Sequence, residues 1–249
     1  MECLGFKDFD TALKVRNEYF KRYHSMAKGL TVAREEGVFT APYHPNDFDD
    51  YIASKLNFKL LGGKKLKLIK DLQECKQQLQ MVVFSNAPKK YVKKVLVELG
   101  LWDTIFRGDD DRIFAVNDVL PHCKPEKEAF QRIFDRIGVK KPSECVMIED
   151  SMKNVRCAKE LGLKTVLVVG AEKMKGRPQQ LCPGGGAPDD GEQRYDAPVH
   201  DDPAVDVAIE TIEELRSALP ELWNDNQSSS APPSPPRFIP SNRRKTKAG

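Results

Sequence analysis

Three short stretches of the sequence contain polar side chains that together could hold a phosphate ester beside a metal ion. They are Ser85-Asn86, Lys124-Pro125 and Glu149-Asp150. A hydroxyl and an amide can donate hydrogen bonds to phosphoryl oxygens, a lysine offsets negative charge, and paired carboxylates are ligands that Mg²⁺ prefers. Each stretch alone is also typical of a turn, a helix start or a helix cap. Their function therefore depends on whether the fold brings them together.

Short apolar runs in the second part of the chain predict buried strands. The runs span residues 81–84, 113–116, 145–148, 165–169 and 205–209. Helical patterns separate them, and we expect helices at 92–99, 130–137, 155–161 and 212–219. This alternation indicates an α/β fold with a doubly wound parallel sheet. Ligands bind beyond the carboxyl ends of such strands, which is where the Ser-Asn and Glu-Asp pairs would lie.

The first 80 residues have a different pattern. Apolar side chains spaced by three and four from Phe9 to Ala33 predict one long amphipathic helix or a pair of helices. Asn46, after Pro45, could cap a further helix, and the spacing from Leu68 to Leu79 predicts another. This part of the chain is therefore expected to be all helical.

These patterns divide the chain into five parts. We predict a helical unit at 1–70, an α/β core at 71–172, a flexible insertion at 173–203, a last core strand and helix at 204–223, and a disordered tail at 224–249. The insertion contains Pro-Gly-Gly-Gly and has no periodic apolar face, and the tail is rich in proline and basic residues.

Composition excludes several classes of protein. Of 249 residues, 40% are hydrophobic and 31% charged, and the apolar runs are too short to cross a bilayer. A net charge of +3 predicts no nucleic-acid surface in the folded part. Six cysteines without a Cys-x-x-Cys pair favour reduced thiols. No signal peptide is evident, so we expect a cytoplasmic protein, and the basic cluster 243–247 leaves nuclear import open. The oligomeric state is not indicated.

The three polar stretches, in this order, resemble the motifs of the haloacid dehalogenase-like (HAD) hydrolases, and within them the pyrimidine 5′-nucleotidase-like phosphatases. The resembling segments read VVFSNAPKKYV, HCKPEKEAF and VMIEDSMKN. The likeness covers about residues 5–170 and 204–223. It implies a Rossmann-like core, a helical insertion cap over the site, Mg²⁺ as cofactor and a small phosphorylated substrate.

The resemblance also implies a role for each motif residue. Ser85 and Asn86 would bind phosphoryl oxygens, and Lys124 would offset the charge on nucleophile and phosphate. Asp150 would hold Mg²⁺, with Glu149 as a ligand or as a support for one. Ser151 and Asn154 would tie the loop, with Asn154 on the substrate side, and the cap residues that would face the site are Tyr23, His24 and Lys28.

One motif of the family is missing from the sequence. Covalent catalysis in the family uses a strand that ends in Asp-x-Asp-x-Thr, and the nearest match, Lys7 to Thr11, has its threonine one place early and no apolar run before it. The resemblance places that strand between those ending at Phe84 and Ile148. Without it, each unpaired backbone group would cost about 1–3 kcal/mol. We therefore expect either a truncated form of an active phosphatase, which we favour, or a noncatalytic relative.

Three functions remain open on the sequence. The first is a Mg²⁺-dependent phosphatase of a small phosphomonoester, most simply a nucleoside 5′-monophosphate, acting through an aspartyl-phosphate. The second is a noncatalytic binding or regulatory protein that uses residues 224–249 to contact its partner. The third, which the phosphate-like second motif disfavours, is a dehalogenase or phosphoglucomutase of the same fold.

Overall fold

The computed structural model describes residues 4–170 and 202–223. Its helices are α1 (Phe9–Tyr23), α2 (Met26–Glu35), α3 (Pro45–Lys55), α4 (Leu66–Gln73), α5 (Lys89–Glu98), α6 (Leu101–Thr104), α7 (Val116–Val119), α8 (Lys127–Ile137), α9 (Met152–Glu160) and α10 (Leu215–Ala218). Its strands are β1 (Val83–Phe84), β2 (Ile113–Phe114), β3 (Val146–Glu149), β4 (Lys164–Val168) and β5 (Val207–Ile209). Each of β1, β2 and β3 is followed by one or two helices, and every strand pair is parallel, which confirms the predicted α/β fold.

The strands form two separate parallel sheets. In the smaller sheet β1 pairs with β2, and Val83 lies opposite Ile113. In the larger sheet the order is β3-β4-β5, and Ile148 lies opposite Val166. Among the described residues β1 has no partner other than β2 and β3 has none other than β4. Each of these two strands therefore keeps one edge without a neighbouring strand.

Burial differs sharply between β2 and β4 on one side and β1 and β3 on the other. Phe114 in β2 is 1% exposed and Val166 in β4 is 0% exposed, as expected of strands covered on both faces. In contrast, both residues of β1 are only half-buried, and Ile148 in β3 is 38% exposed. Two apolar strands with the composition of central strands thus lie at sheet edges.

The strands are shorter than the apolar runs that predicted them. The second run was predicted to extend to Val116, but that residue begins α7. The Asp118 carboxylate accepts a hydrogen bond from the backbone N–H of Ala115 at 2.9 Å and so turns the chain into the helix. Likewise, the predicted helix at 212–219 is a 3₁₀ turn followed by the four residues of α10.

The amino-terminal helices pack around a small core of their own, and we call α1 to α3 the helical layer. The apolar stripe from Phe9 to Ala33 forms a pair of helices, because His24 adopts the left-handed conformation (φ 49°) and Ser25 caps α2 by accepting from the backbone N–H of Lys28. Gly29 allows the two helices to approach closely, since a Cβ there would lie 3.1 Å from Cβ of Tyr19. The core of the layer consists of Tyr19, Leu30, Ala33 and Phe39.

Two details of the predicted helical part differ from the structure. Asn46 is not the cap of α3: His44 is, since its ring accepts a hydrogen bond from the backbone N–H of Asn46, and Pro45 occupies the first turn, where its missing N–H is not needed. In addition, α4 ends at Gln73, before the last apolar residues of its pattern. Its Ile69 packs with Val92 of α5 in the cluster beneath the smaller sheet.

Some predictions fall outside the described residues. The tail at 224–249 and all but the last two residues of the predicted insertion at 173–203 are among these. The free cysteines of the described part are Cys75, Cys123, Cys145 and Cys157, in agreement with reduced thiols. None of the helices in residues 4–170 and 202–223 has the length and apolarity that a bilayer crossing requires.

Candidate functional site

The Ser85-Asn86 loop connects β1 to α5. The backbone N–H of Ser85 donates to O of Phe114 at 2.9 Å and so extends the ladder of the smaller sheet. The Ser85 Oγ accepts from the backbone N–H of Ala87 at 3.1 Å, which folds the loop into a tight turn and leaves the hydroxyl proton for another acceptor. This geometry presents a hydroxyl donor at the carboxyl end of β1.

The Asn86 side chain connects this loop to the one that carries Lys124. Its Nδ2 donates to the backbone O of Lys124 at 2.7 Å, and its Oδ1 accepts from the backbone N–H of Lys124 at 2.9 Å. Both hydrogen-bonding groups of the amide are therefore used within the protein. This side chain positions the lysine, a role that its place in the sequence did not reveal.

Lys124 is the centre of the site. The residue is 5% exposed, and its Nζ lies 2.9 Å from the backbone O of Phe84 and 2.5 Å from Oε2 of Glu149. The same ammonium lies 5.0 Å from the centre of the Phe84 ring, where the negative face of the ring attracts it. One side chain thus connects the carboxyl end of β1 with that of β3.

Glu149 and Asp150 end β3 and face different surroundings. The Glu149 side chain is 8% exposed, and its Oε1 accepts from the backbone N–H groups of Asp150 (3.1 Å) and Ser151 (3.3 Å). Burial would raise the pKa of Glu149, but the charge and hydrogen bond of Lys124, together with the hydrogen bonds from Asp150, outweigh it and hold the pKa below its ordinary value. Asp150 is exposed to solvent. Glu149 therefore shapes the loop while Asp150 lies at the surface of the site.

Residues of the helical layer reach the same loops. The Ser25 Oγ donates to the backbone O of Asn86 at 3.4 Å, and the buried Lys28 forms an ion pair with Glu126, two residues after Lys124. His24 Nε2 lies 2.5 Å from Nζ of Lys153, on the first turn of α9. The junction of α1 and α2 therefore contacts the loops that carry Asn86 and Lys124 and the first turn of α9.

The predicted site residues fall into two groups. Ser85, Asn86, Lys124 and Glu149 belong to one connected network at the carboxyl ends of β1 and β3, whereas Asn154 is buried on α9. The weak match to the nucleophile motif lies elsewhere in the fold. Asp8 caps α1 by accepting from the backbone N–H of Thr11 at 2.7 Å, and it is exposed.

The oxygen donors at the end of β3 suit a hard divalent cation in type, because Mg²⁺ binds carboxylates and water. Asp150 is the exposed carboxylate, and Glu149 is already bonded to Lys124. Among the described residues, the group of three side chains close enough to share an ion is His122, Glu126 and Glu128, which lies next to the network. Its central member, Glu126, is paired with Lys28, which makes it less available to a cation.

Comparison with known proteins identifies a matching family model and two similar solved structures. A family model described as haloacid dehalogenase-like hydrolase matches residues 4–162. Two solved structures are similar at 16% sequence identity and a TM-score of 0.41 each. One is an L-2-haloacid dehalogenase from Xanthobacter autotrophicus with chloropropionic acid covalently bound, and the match covers 62% of this chain and 58% of that one. The other is a haloacid dehalogenase-like protein of unknown function from Agrobacterium tumefaciens, with 83% and 88% covered.

Proposed function

Because the chain belongs to the haloacid dehalogenase-like hydrolases, we propose that it is a Mg²⁺-dependent phosphatase that acts on a small phosphomonoester. On the motif resemblance, the substrate is a nucleoside 5′-monophosphate, with a pyrimidine base preferred. The observation that carries the proposal is the position of the Lys124 ammonium, which contacts both the end of β1 and Glu149. A fixed cation between a hydroxyl loop and a pair of carboxylates suits a phosphoryl group.

In this proposal the phosphoryl oxygens bind to the Ser85 hydroxyl, the backbone N–H of Asn86 and the Lys124 ammonium. All three groups belong to loops that hydrogen bonds already hold in place, so little reorganisation is needed when charge develops on the phosphoryl group. The nucleoside would face the junction of α1 and α2, where His24 and Ser25 approach the loops.

Mg²⁺ would be held by Asp150, with Glu149 nearby as a ligand or as a support for the loop. The bound ion would offset the charge of the phosphoryl group and orient it. Members of the family generally use Mg²⁺. The residues of this chain contribute the rest: Glu149 keeps the Lys124 ammonium in place, and Lys124 draws the anionic head group toward the carboxyl ends of the strands.

The nucleophile of an aspartyl-phosphate mechanism would lie on a strand between β1 and β3. The unpaired edges of these two strands support this position, and so does the partial exposure of Ile148. Phe84 of β1 and Met147 of β3 both pack against the cluster of Phe130 and Phe134, so the two strands contact the same apolar cluster. Residues 4–170 and 202–223 supply no such strand.

A phosphate-release assay tests the proposal. The coding sequence upstream of Met1 is read for an apolar strand that ends in Asp-x-Asp-x-Thr, and the longer protein is assayed with nucleoside 5′-monophosphates and Mg²⁺. We expect Mg²⁺-dependent release of phosphate that Asp150→Ala abolishes. Equal activity in Asp150→Ala would refute the metal assignment, and no activity with any small phosphomonoester would refute the phosphatase.

A second candidate function is a noncatalytic binding protein with the same phosphate and metal subsites. It is favoured by the place of Asp8 and Asp10 on α1, away from the ends of the strands, which leaves the described part of the chain without a nucleophile motif. This alternative predicts no turnover even by the longest natural product. It further predicts that binding to a partner is lost when residues 224–249 are deleted.

A further inference from the structure

The first turn of α5 is bonded by side chains from two other elements. The backbone N–H of Lys89 donates to Oδ1 of Asn117 at 3.0 Å. The next two backbone N–H groups, those of Lys90 and Tyr91, donate to Oδ2 (2.8 Å) and Oδ1 (3.2 Å) of Asp49. One carboxylate of the helical layer thus uses both oxygens to cap a helix of the core.

The Asp49 carboxylate is buried at the contact between the helical layer and the core. Asp49 is 2% exposed and lies on α3, which packs against α5. A carboxylate is suited to this place because the exposed N–H groups of a helix amino terminus carry partial positive charge, and hydrogen bonds to an ionised acceptor are the stronger kind. The contact therefore joins the helical layer to the core through two charge-assisted hydrogen bonds.

The local sequence of α5 makes the helix depend on this outside cap. Its N-cap residue is Pro88, which has no side-chain acceptor to offer the first turn. Pro88 is also the last residue of the Ser85-Asn86 loop. Any movement of the first turn of α5 is therefore transmitted directly to the proposed phosphate-binding loop.

We propose that Asp49 is a positioning residue for the phosphate-binding loop. It fixes the first turn of α5 so that the Ser85 hydroxyl and the backbone N–H of Asn86 keep their places, and it makes the placement of α3 a condition for phosphate binding. The choice of phosphate as the ligand rests on the proposed function, whereas the hydrogen bonds of Asp49 do not depend on it. Because Asp49 and Asn117 already occupy the amino terminus of α5, a phosphate at Ser85 binds to the loop and Lys124 and not to the helix end.

The test compares Asp49→Asn with Asp50→Asn in the 249-residue chain. Both variants remove one negative charge from α3, but Asp50 is exposed and pairs with the side-chain Nζ of Lys90, not with a backbone N–H of α5. The readouts are backbone amide hydrogen exchange and the affinity for inorganic phosphate in the presence of Mg²⁺. We expect Asp49→Asn to weaken phosphate binding about tenfold and to speed exchange at Lys90 and Tyr91 by a similar factor, the loss of one charge-assisted hydrogen bond. Asp50→Asn should change both by less than about twofold.

Exchange at Ser85 to Ala87 separates positioning from a general loss of stability. Positioning predicts faster exchange in this loop and in the first turn of α5, with α8 unchanged, whereas general destabilisation would speed all of them together. Wild-type affinity and loop exchange in a folded Asp49→Asn protein would overturn the inference. If that variant does not fold, amide exchange is measured on the wild-type protein. Unprotected amides at Lys90 and Tyr91 would then also overturn the inference.

The two proposals can fail separately. If the wild-type chain does not bind phosphate at all, the phosphatase proposal loses its support, while amide exchange still tests the role of Asp49. If the wild-type chain binds phosphate and Asp49→Asn binds it equally well, only the positioning role is wrong.

Discussion

The strands β1 and β3 are less buried than the strands they pair with. We call the space between their unpaired edges, where Lys124 contacts the ends of both strands, the break. Phe114 and Val166, in β2 and β4, are at most 1% exposed, whereas the β1 residues are half-buried and Ile148 of β3 is 38% exposed. All four strands are apolar, so composition does not explain the difference. Strand pairing explains part of it, since β4 is paired on both edges, while β1, β2 and β3 each have one strand partner among the described residues. β2 is nevertheless buried, because Val119, Ala129 and Ile133 of α7 and α8 pack against Phe114. An apolar run therefore specifies a strand, but its burial depends on the strands and helices that pack against it.

The largest expected effect comes from filling the break. An apolar strand of about five residues, fused through a long Gly/Ser linker, should raise the free energy of unfolding by about 4 kcal/mol, because it supplies hydrogen bonds to two strand edges and covers Ile148. Urea denaturation measures the change. The matched control carries two prolines in the same strand, which remove backbone donors. Equal midpoints for the two fusions would show that the break does not accept a strand.

Removing the cation between the two sheets should have the next largest effect. Lys124→Met leaves the buried Glu149 carboxylate without its ion-pair partner, and we expect a loss of about 3 kcal/mol in unfolding free energy. Lys164→Met is the matched control, because the pair of Lys164 with Glu221 is exposed and should contribute less than about 1 kcal/mol. A similar cost for both variants would mean that the ion pair at the break is not special.

Truncating two residues that lie opposite each other tests the burial difference directly. Ile148 and Val166 are register partners on β3 and β4. Val166→Ala should cost about 2 kcal/mol, because it leaves a cavity in a fully buried layer. Ile148→Ala removes more atoms but should cost only about 1 kcal/mol, since the side chain is already partly in water. The reverse order, measured by urea denaturation, would contradict the assigned edge position of β3.

A pH titration of Asp206, which bonds to Thr165 of the fully paired strand β4, should give the smallest change. Burial would raise the pKa of Asp206, but hydrogen bonds from Lys159 and Thr165 outweigh it and hold the pKa below its ordinary value of 3.8. The contribution of Asp206 to stability is therefore present above that value and is lost as the pH falls through the folded-state pKa. Asp206→Asn should be less stable than wild type at pH 7, and the difference should shrink on acidification. A difference independent of pH would contradict the ionised role of Asp206.

The sequence predicted the order of elements well, because each was signalled by a local pattern. The period of the helical stripe, the apolar strands and the glycines that end α5 and α8 all depend on neighbours within a few residues. Boundaries were less accurate, since they depend on single side chains: Asp118 ends the run at β2, and the ring of His44 displaces Asn46 as the cap of α3.

The candidate site was only partly predictable for a different reason. Ser85, Lys124 and Glu149 could be found because they follow strands or match motifs. The supporting contacts could not be found, because they join residues far apart in the chain that carry no local signal. The pairing of Asn86 with the backbone of Lys124 and the capping of α5 by Asp49 are both of this kind. For Asp49 the sequence did hold a signal, since its spacing from Ile52 and Leu56 puts a carboxylate on the predicted apolar face of the helix.

The pairing of Asn86 with Lys124 has a consequence for how position 124 can be studied. Both hydrogen bonds of the Asn86 amide are with the backbone of residue 124, one with its C=O and one with its N–H, and neither is with its side chain. These two hydrogen bonds should therefore hold the backbone path of the loop in variants at position 124, even where the loss of the ion pair with Glu149 lowers the stability of the protein. Variants at position 124 that differ in length and charge would change the electric field at the carboxyl ends of β1 and β3 while the backbone stays in place.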